Sequence, residues 1–153
     1  FDPRPYSQRS LSEDFLADVK RASRDKVSGE IELKFLAPTN KRNKSQEVVI
    51  KRRLREHFNR HFNLLLGEKR NIIKKGLIFV ICGIILMFIA TLIFVKSTEK
   101  SILISFLIIL LEPAGWFLFW EGLGMSIFES KKIKPDLDFY EKMSKCEVYF
   151  LSY

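Results

Sequence analysis

The sequence predicts a membrane α-helical fold: a two-helix transmembrane hairpin with a small cytoplasmic α/β cap built from the N- and C-terminal segments. Three observations predict it. Two long apolar segments are joined by a short polar loop, basic residues are concentrated before the first of them, and a short alternating segment lies towards each end of the chain. The 153 residues are 47% hydrophobic and 29% charged, and the two kinds of residue are segregated along the chain.

The first apolar segment, residues 76–95, carries no charged side chain over 20 residues. A helix of this length extends roughly 30 Å, which is the thickness of the hydrocarbon core of a bilayer. The second segment, residues 101–128, is also long enough to span, although it contains Glu112 and Glu121. The short external loop of residues 96–100 makes the two helices antiparallel. A buried hairpin in a soluble protein is the alternative, but so short a chain has little else with which to cover two apolar helices.

The distribution of basic residues indicates the orientation. Residues 1–75 hold 19 Lys and Arg against 10 Asp and Glu, a balance of +9, whereas the loop between the apolar segments has only Lys96 and Lys100. Residues 131–134 add three lysines after the second segment. Because basic residues flanking membrane spans stay on the cytoplasmic side, we expect both termini in the cytoplasm.

The N-terminal region, residues 1–75, is predicted to form a helix, a strand and a second helix. Ser10 to Glu13 fits a capping box, and apolar residues follow it at helical spacing. Residues 30–35 alternate between charged and apolar side chains, which is typical of a half-buried strand. The second helix is expected to begin near Ser45 and to run into the first apolar segment. Its apolar stripe consists of Leu54, Phe58, Phe62 and Leu65.

The C-terminal region, residues 129–153, is predicted to contain a short helix that starts at Pro135 and a strand over residues 147–151. A lone strand is not stable in water. We therefore expect residues 31–35 to pair with residues 148–151, within one chain or between two chains, and so to build the cytoplasmic cap.

Small residues recur at intervals of seven in both apolar segments. Such positions let helix backbones approach closely. We expect them to pack helices and to mediate oligomerisation. They are Gly76, Gly83 and Ala90 in the first segment, and Gly115 and Gly122 in the second.

Glu112 is the most informative polar residue of the apolar segments. An acid near the middle of a bilayer costs several kcal/mol unless it is protonated, paired or facing water. Counting inward from the loop places Glu112 level with Gly83, on the helical face that carries Gly115. One interpretation is a carboxylate that handles protons or cations in an oligomer. The other is a protonated acid that hydrogen-bonds a neighbouring helix and specifies assembly.

The stretch from Lys51 to Lys75 contains nine basic and two acidic residues. It directly precedes an apolar segment, so anionic lipid headgroups are the expected partner. No base-reading motif accompanies it, and we do not expect nucleic acid. The expected headgroup residues are Lys51, Arg52, Arg55, Lys69, Arg70, Lys74 and Lys75.

His57 and His61 are four residues apart, so they share one face of a helix and could supply two metal ligands. No third ligand lies at a useful spacing, and the pair is not an H-E-x-x-H motif. Cys82 and Cys146 fit no disulfide or metal spacing and are expected to be unpaired thiols. No metal, cofactor or catalytic residue is therefore expected, and we do not expect an enzyme.

Five short strings carry a resemblance to a known family: Phe1-Asp-Pro-Arg-Pro5, Leu11-Ser-Glu-Asp-Phe15, Ile31-x-Leu33, His57-Phe58 and Gly115-Trp116. In this order they resemble an uncharacterised family of bacterial two-span membrane proteins with no assigned activity. The resemblance implies the two-span architecture and a bacterial inner membrane, and it implies no activity.

Two functions fit these expectations. The first is a small integral membrane scaffold or accessory subunit, which forms a homo-oligomer or joins a membrane complex through its glycine positions and presents a basic cytoplasmic cap. The second is an oligomeric ion or proton channel, or a membrane-perturbing effector, with Glu112 at the pore. The oligomeric state, and whether Glu112 faces water, distinguish the two.

Overall fold

The computed structural model describes residues 11–25, 31–97 and 101–153. Predictions that fall on Phe1–Pro5, Ser10, Glu30 and Lys100 lie outside these ranges. The regular elements are α1 (Glu13–Asp25), β1 (Glu32–Ala37), α2 (Lys44–Lys96), α3 (Ile102–Gly124), α4 (Ser130–Lys145) and β2 (Glu147–Ser152).

The chain divides into two compact units. The α/β unit consists of the residues up to Leu64 together with Asp136–Tyr153, and the hairpin unit consists of Leu65–Pro135. The division follows the composition, because the hairpin unit contains both long apolar segments.

Strands β1 and β2 form a two-stranded parallel sheet in the α/β unit. The register pairs Leu33 with Val148 and Phe35 with Phe150. The expected pairing of the two terminal segments is thus confirmed, and it occurs within one chain. Exposed and half-buried residues alternate along β1, as the period-two pattern predicted.

Helical side chains cover one face of this sheet. Phe15 of α1 packs against Phe35 with ring centroids 5.9 Å apart, and Phe35 stacks on Phe150 at 5.3 Å. Beneath them Phe58 is fully buried and Met143 is 1% exposed. Two strands alone are only marginally stable in water, so the sheet depends on this helical cover. The other buried members of the core are Leu54, Phe139 and Cys146.

Helix α2 is a single helix of 53 residues, which confirms the expected continuation into the first apolar segment. It starts after Asn43, whose side-chain oxygen accepts a hydrogen bond from the Ser45 amide at 3.1 Å, as an N-cap asparagine does. The Arg42 guanidinium pairs with the Glu47 carboxylate at 2.8 Å. This hydrogen bond holds the pKa of Glu47 below its ordinary value.

The C-terminal helix begins earlier than expected. Helix α3 continues through a π-helical turn, Met125–Glu129, into α4, which starts at Ser130. Pro135 therefore lies inside α4 and does not start it. The sequence signal misleads because proline is favoured near helix starts, yet its fixed φ angle is also a helical value. It is therefore compatible with a helix that already continues from α3.

Candidate functional site

The predicted small-residue positions lie where α2 and α3 contact each other in the hairpin unit. A Cβ atom added to Gly83 would lie 2.6 Å from the Gly115 carbonyl oxygen and 2.7 Å from the Phe119 amide nitrogen. A Cβ atom added to Gly122 would lie 2.7 Å from the Val80 amide nitrogen. Backbone meets backbone at both places, which only glycine allows. All five predicted positions are buried: Gly76, Gly83, Ala90, Gly115 and Gly122.

These glycines therefore pack the hairpin of a single chain. Each is covered by the opposite helix of its own hairpin. A second chain could use the same glycines only after the hairpin opens. The exposed apolar side chains lie on the other faces of α2 and α3.

Counting from the loop predicted that Glu112 lies level with Gly83. In the structure Glu112 lies about one helical turn closer to the loop than Gly83 does. Gly83 faces Gly115, whereas Glu112 lines a groove together with Met87 and Thr91. The count assumed a loop centred on residue 98, but α2 continues through Lys96 and α3 starts only at Ile102.

The groove at Glu112 has a volume of about 460 Å³. The Glu112 side chain is exposed, so the hairpin does not bury it in the glycine contact. The Thr91 hydroxyl donates to the Met87 carbonyl of its own helix at 2.9 Å. The hairpin thus leaves an acid uncovered in the middle of an apolar surface. The remaining lining residues are Ala90, Phe94, Ile108 and Trp116.

The predicted headgroup residues separate into two groups. Those from Lys69 to Lys75 belong to the hairpin unit and lie within two turns before Gly76. Those from Lys51 to Arg55 belong to the α/β unit. The second group borders a groove that the sequence did not reveal.

This second groove, between α2 and the start of β2, also has a volume of about 460 Å³. Leu54, Phe58 and Met143 are almost completely buried and form its apolar floor. The exposed cations Lys51, Arg52 and Arg55 form its rim. The Cys146 thiol also lines it, and burial raises the pKa of this thiol.

Sequence reasoning missed this groove because its walls come from α2, α4 and β2, which are far apart in the chain. One signal was present in α2. Lys51, Arg52 and Arg55 flank Leu54, which belongs to the apolar stripe that reaches the core at Phe58. Three cations beside a core-facing stripe indicate a charged rim next to buried apolar side chains.

His57 and His61 pack against each other and against α4. Their ring centroids are 4.4 Å apart, and His61 stacks on Tyr140 at 5.2 Å. The Nε2 atom of His57 is buried without a hydrogen-bond partner among the described residues. Burial lowers the pKa of His57, and repulsion from His61 and Arg60 lowers it further. The ranges that the structure describes contain no group of three or more His, Cys, Asp or Glu that could hold a metal ion.

Comparisons of the chain with models of protein families, with curated proteins and with solved structures find no match. Three local features bear on function: the exposed apolar hairpin, the uncovered acid Glu112, and the groove rimmed by Lys51, Arg52 and Arg55, which we call the cationic groove.

Proposed function

We propose that this chain is a small integral membrane scaffold or accessory subunit, with its hairpin in the bilayer and its α/β unit in the cytoplasm. Both hairpin helices are long and apolar enough to cross a membrane, and only 11% and 6% of their most apolar windows are buried. Phe94, Ile102 and Leu103 are 70%, 89% and 77% exposed. Soluble monomers rarely expose apolar patches above a few hundred Å², so bilayer hydrocarbon is the surroundings that this surface fits.

The lysines and arginines next to the hairpin support a specific orientation. Residues 69–75 include four basic side chains just before the first apolar segment. Such a cluster is attracted to anionic headgroups of the cytoplasmic leaflet and is retained on that side of the membrane. The bacterial inner membrane that the family resemblance implies belongs to the same proposal.

The uncovered acid supports assembly into a homo-oligomer or a larger membrane complex. A carboxyl group in hydrocarbon is stabilised when a neighbouring helix supplies a hydrogen bond. The opposite helix of the hairpin leaves the Glu112 side chain exposed. A second hairpin, or another membrane subunit, would cover it and gain that contact.

A second candidate function is ion or proton conduction by an oligomer, with Glu112 at the pore. The observation that favours it is the groove of about 460 Å³ in which the exposed carboxyl group lies. Intramembrane acids that line water-filled cavities commonly bind protons or cations. The scaffold requires a dry contact at Glu112, whereas the channel requires a hydrated one.

Membrane extraction and cysteine labelling test the proposed insertion and orientation. In a Cys82→Ala, Cys146→Ala background, a membrane-impermeant maleimide should label Ser97→Cys in intact cells. It should label Ser144→Cys only after permeabilisation, which makes the two variants matched controls for each other. Release of the protein by alkaline carbonate would overturn insertion, and labelling of Ser144→Cys in intact cells would overturn the orientation.

A further inference from the structure

Strand β2 has one edge paired with β1 and one open edge within the described sheet. The Tyr153 amide donates to the Ala37 carbonyl at 3.4 Å, and the Tyr153 carbonyl accepts from the Thr39 amide at 3.3 Å. In a parallel ladder, alternate residues turn their backbone groups to opposite edges. Counting back from Tyr153 in steps of two, Leu151, Tyr149 and Glu147 also face β1. The backbone groups of Phe150 and Val148 therefore face the edge away from β1.

The cationic groove lies along this open edge. The Lys51 Nζ atom is 6.0 Å from the ring centroid of Tyr149 and 5.9 Å from that of Phe150. Consecutive strand residues point to opposite faces of a sheet. A group at nearly equal distances from both rings therefore lies beside the edge of the strand and not over one face. Because β1 occupies the other edge, Lys51 lies at the open one.

The charge of the groove is predominantly positive. Its lining includes three basic residues and one acid, Glu147, whose carboxylate accepts a hydrogen bond from the Tyr149 hydroxyl. Arg52 is 3.7 Å from Glu56, and both side chains are largely exposed, so this pair neutralises little of the rim. An apolar floor below several cations suits a ligand that alternates apolar and anionic groups.

We propose that this groove binds an extended, acidic segment of a partner protein, which adds to β2 as a third strand. The main chain of the segment pairs with the outward backbone groups of Val148 and Phe150. Its apolar side chains contact the floor, and its acidic side chains contact the cations. The proposal rests on the scaffold function, because it names the class of partner that the scaffold holds.

The strand edge decides between a peptide and a lipid headgroup. It offers backbone donors and acceptors in alternation, which another backbone matches and a phosphate group does not. The positive charge of the groove rim disfavours a second copy of this chain as the partner. Pairing two β2 edges would bring Lys51, Arg52 and Arg55 of both copies together, and like charges across an interface weaken association.

Fluorescence anisotropy with a labelled peptide of about six residues, alternating Glu and Val, tests the proposal on the full chain in micelles of an uncharged detergent. We expect saturable binding of this peptide and none of a Lys and Val peptide of equal length. N-methylation of alternate peptide nitrogens removes the donors of one edge and should weaken binding about tenfold or more. Absence of saturable binding, or equal binding of the N-methylated peptide, would overturn strand addition.

Charge-reversal variants test the rim. Lys51→Glu with Arg55→Glu should weaken binding about tenfold or more, since two attractive contacts become repulsive. The matched control is Lys142→Glu, an exposed lysine of α4 outside the groove, which should leave the affinity unchanged. Circular dichroism checks that each variant is folded.

Three other outcomes would overturn the proposal. An equal loss of affinity in Lys142→Glu would indicate a general charge effect. Displacement of the peptide by micelles doped with phosphatidylglycerol would indicate a lipid site, and release of a protein dimer on peptide binding would indicate a second copy. If the chain inserts correctly but binds no peptide, the scaffold function stands and peptide binding by the groove is overturned. Failure of insertion and failure of peptide binding are therefore distinguishable.

Discussion

At the residue scale, His57 links protonation to the stability of the α/β unit. Its Nε2 atom is buried without a partner in the described structure, and burial lowers its pKa. The ordinary histidine pKa, about 6.5, applies to the unfolded chain. Below that value the unfolded state takes up a proton that the folded state resists. The contribution of neutral His57 to the stability of the folded α/β unit is therefore complete above about pH 6.5. It declines as the pH falls towards the lowered pKa of His57 in the folded state.

Thermal unfolding followed by circular dichroism at about pH 7.5 and about pH 5.5 tests this linkage. The wild-type chain should unfold at a lower temperature at the acidic pH, and His57→Gln should show a smaller difference. His61→Gln is the matched control and should keep most of the difference, because burial of His57 is the larger cause of its lowered pKa. Equal pH dependence in the wild type and His57→Gln would contradict the assignment.

At the element scale, the hairpin depends on two places where α2 and α3 cross in close backbone contact. Gly83 meets Gly115, and Gly76 meets Gly122. Both crossings bring backbone atoms together, and backbone atoms cannot rotate away as a flexible side chain can. By contrast, Gly67 and Gly124 lie in the same helices with nothing within 4 Å of an added Cβ atom. Gly83 and Gly115, together with Gly67 and Gly124, form a matched set for mutation.

Gly83→Leu and Gly115→Leu should each destabilise the hairpin, because overpacking costs about 1–3 kcal/mol. Gly67→Leu and Gly124→Leu should have little effect. Size-exclusion chromatography after heating in detergent should show midpoints lowered by roughly 5–10 °C for the first pair alone. Equal midpoints for all four variants would mean that the helices do not cross at these glycines.

Periodicity explains which elements the sequence predicted. The alternation around Leu33 and Phe35 identified β1, and the stripe through Leu54 and Phe58 identified the core-facing side of α2. Features that depend on where distant segments meet were not encoded locally. The depth of Glu112 and the groove beside β2 both depend on where α2 and α3 end and how β2 is aligned. The prediction that a helix starts at Pro135 was wrong because the fixed φ angle of proline is also compatible with a helix that began earlier.

At the scale of the whole molecule, Glu112 separates the two candidate functions. It is exposed among apolar side chains of the hairpin, so any assembly in a bilayer either covers it or hydrates it. Covering it makes the hydrogen-bonding capacity of the side chain important. Hydrating it makes the binding of protons or cations by the side chain important as well.

Glu112→Gln retains the shape and much of the hydrogen bonding, whereas Glu112→Leu removes both. Mass photometry should show normal assembly of the Gln variant and poor assembly of the Leu variant. Liposome flux assays then discriminate: the scaffold conducts nothing, while a channel conducts and loses conduction in Glu112→Gln. Glu121→Gln, at the other acid of α3, is the matched control. Normal assembly of Glu112→Leu would remove Glu112 from the interface.

The parallel pairing of β1 with β2 also fixes an order of events during biosynthesis. Glu32 pairs with Glu147, which the ribosome adds 115 residues later. At about 5–20 residues per second, β1 waits roughly 6–23 seconds for its neighbour, and both apolar helices are translated during that interval. The α/β unit therefore closes last. A chain whose translation stops before β2 lacks the strand that pairs with β1 and the Phe150 ring that stacks on Phe35, so an apolar side chain and an unpaired strand edge stay exposed.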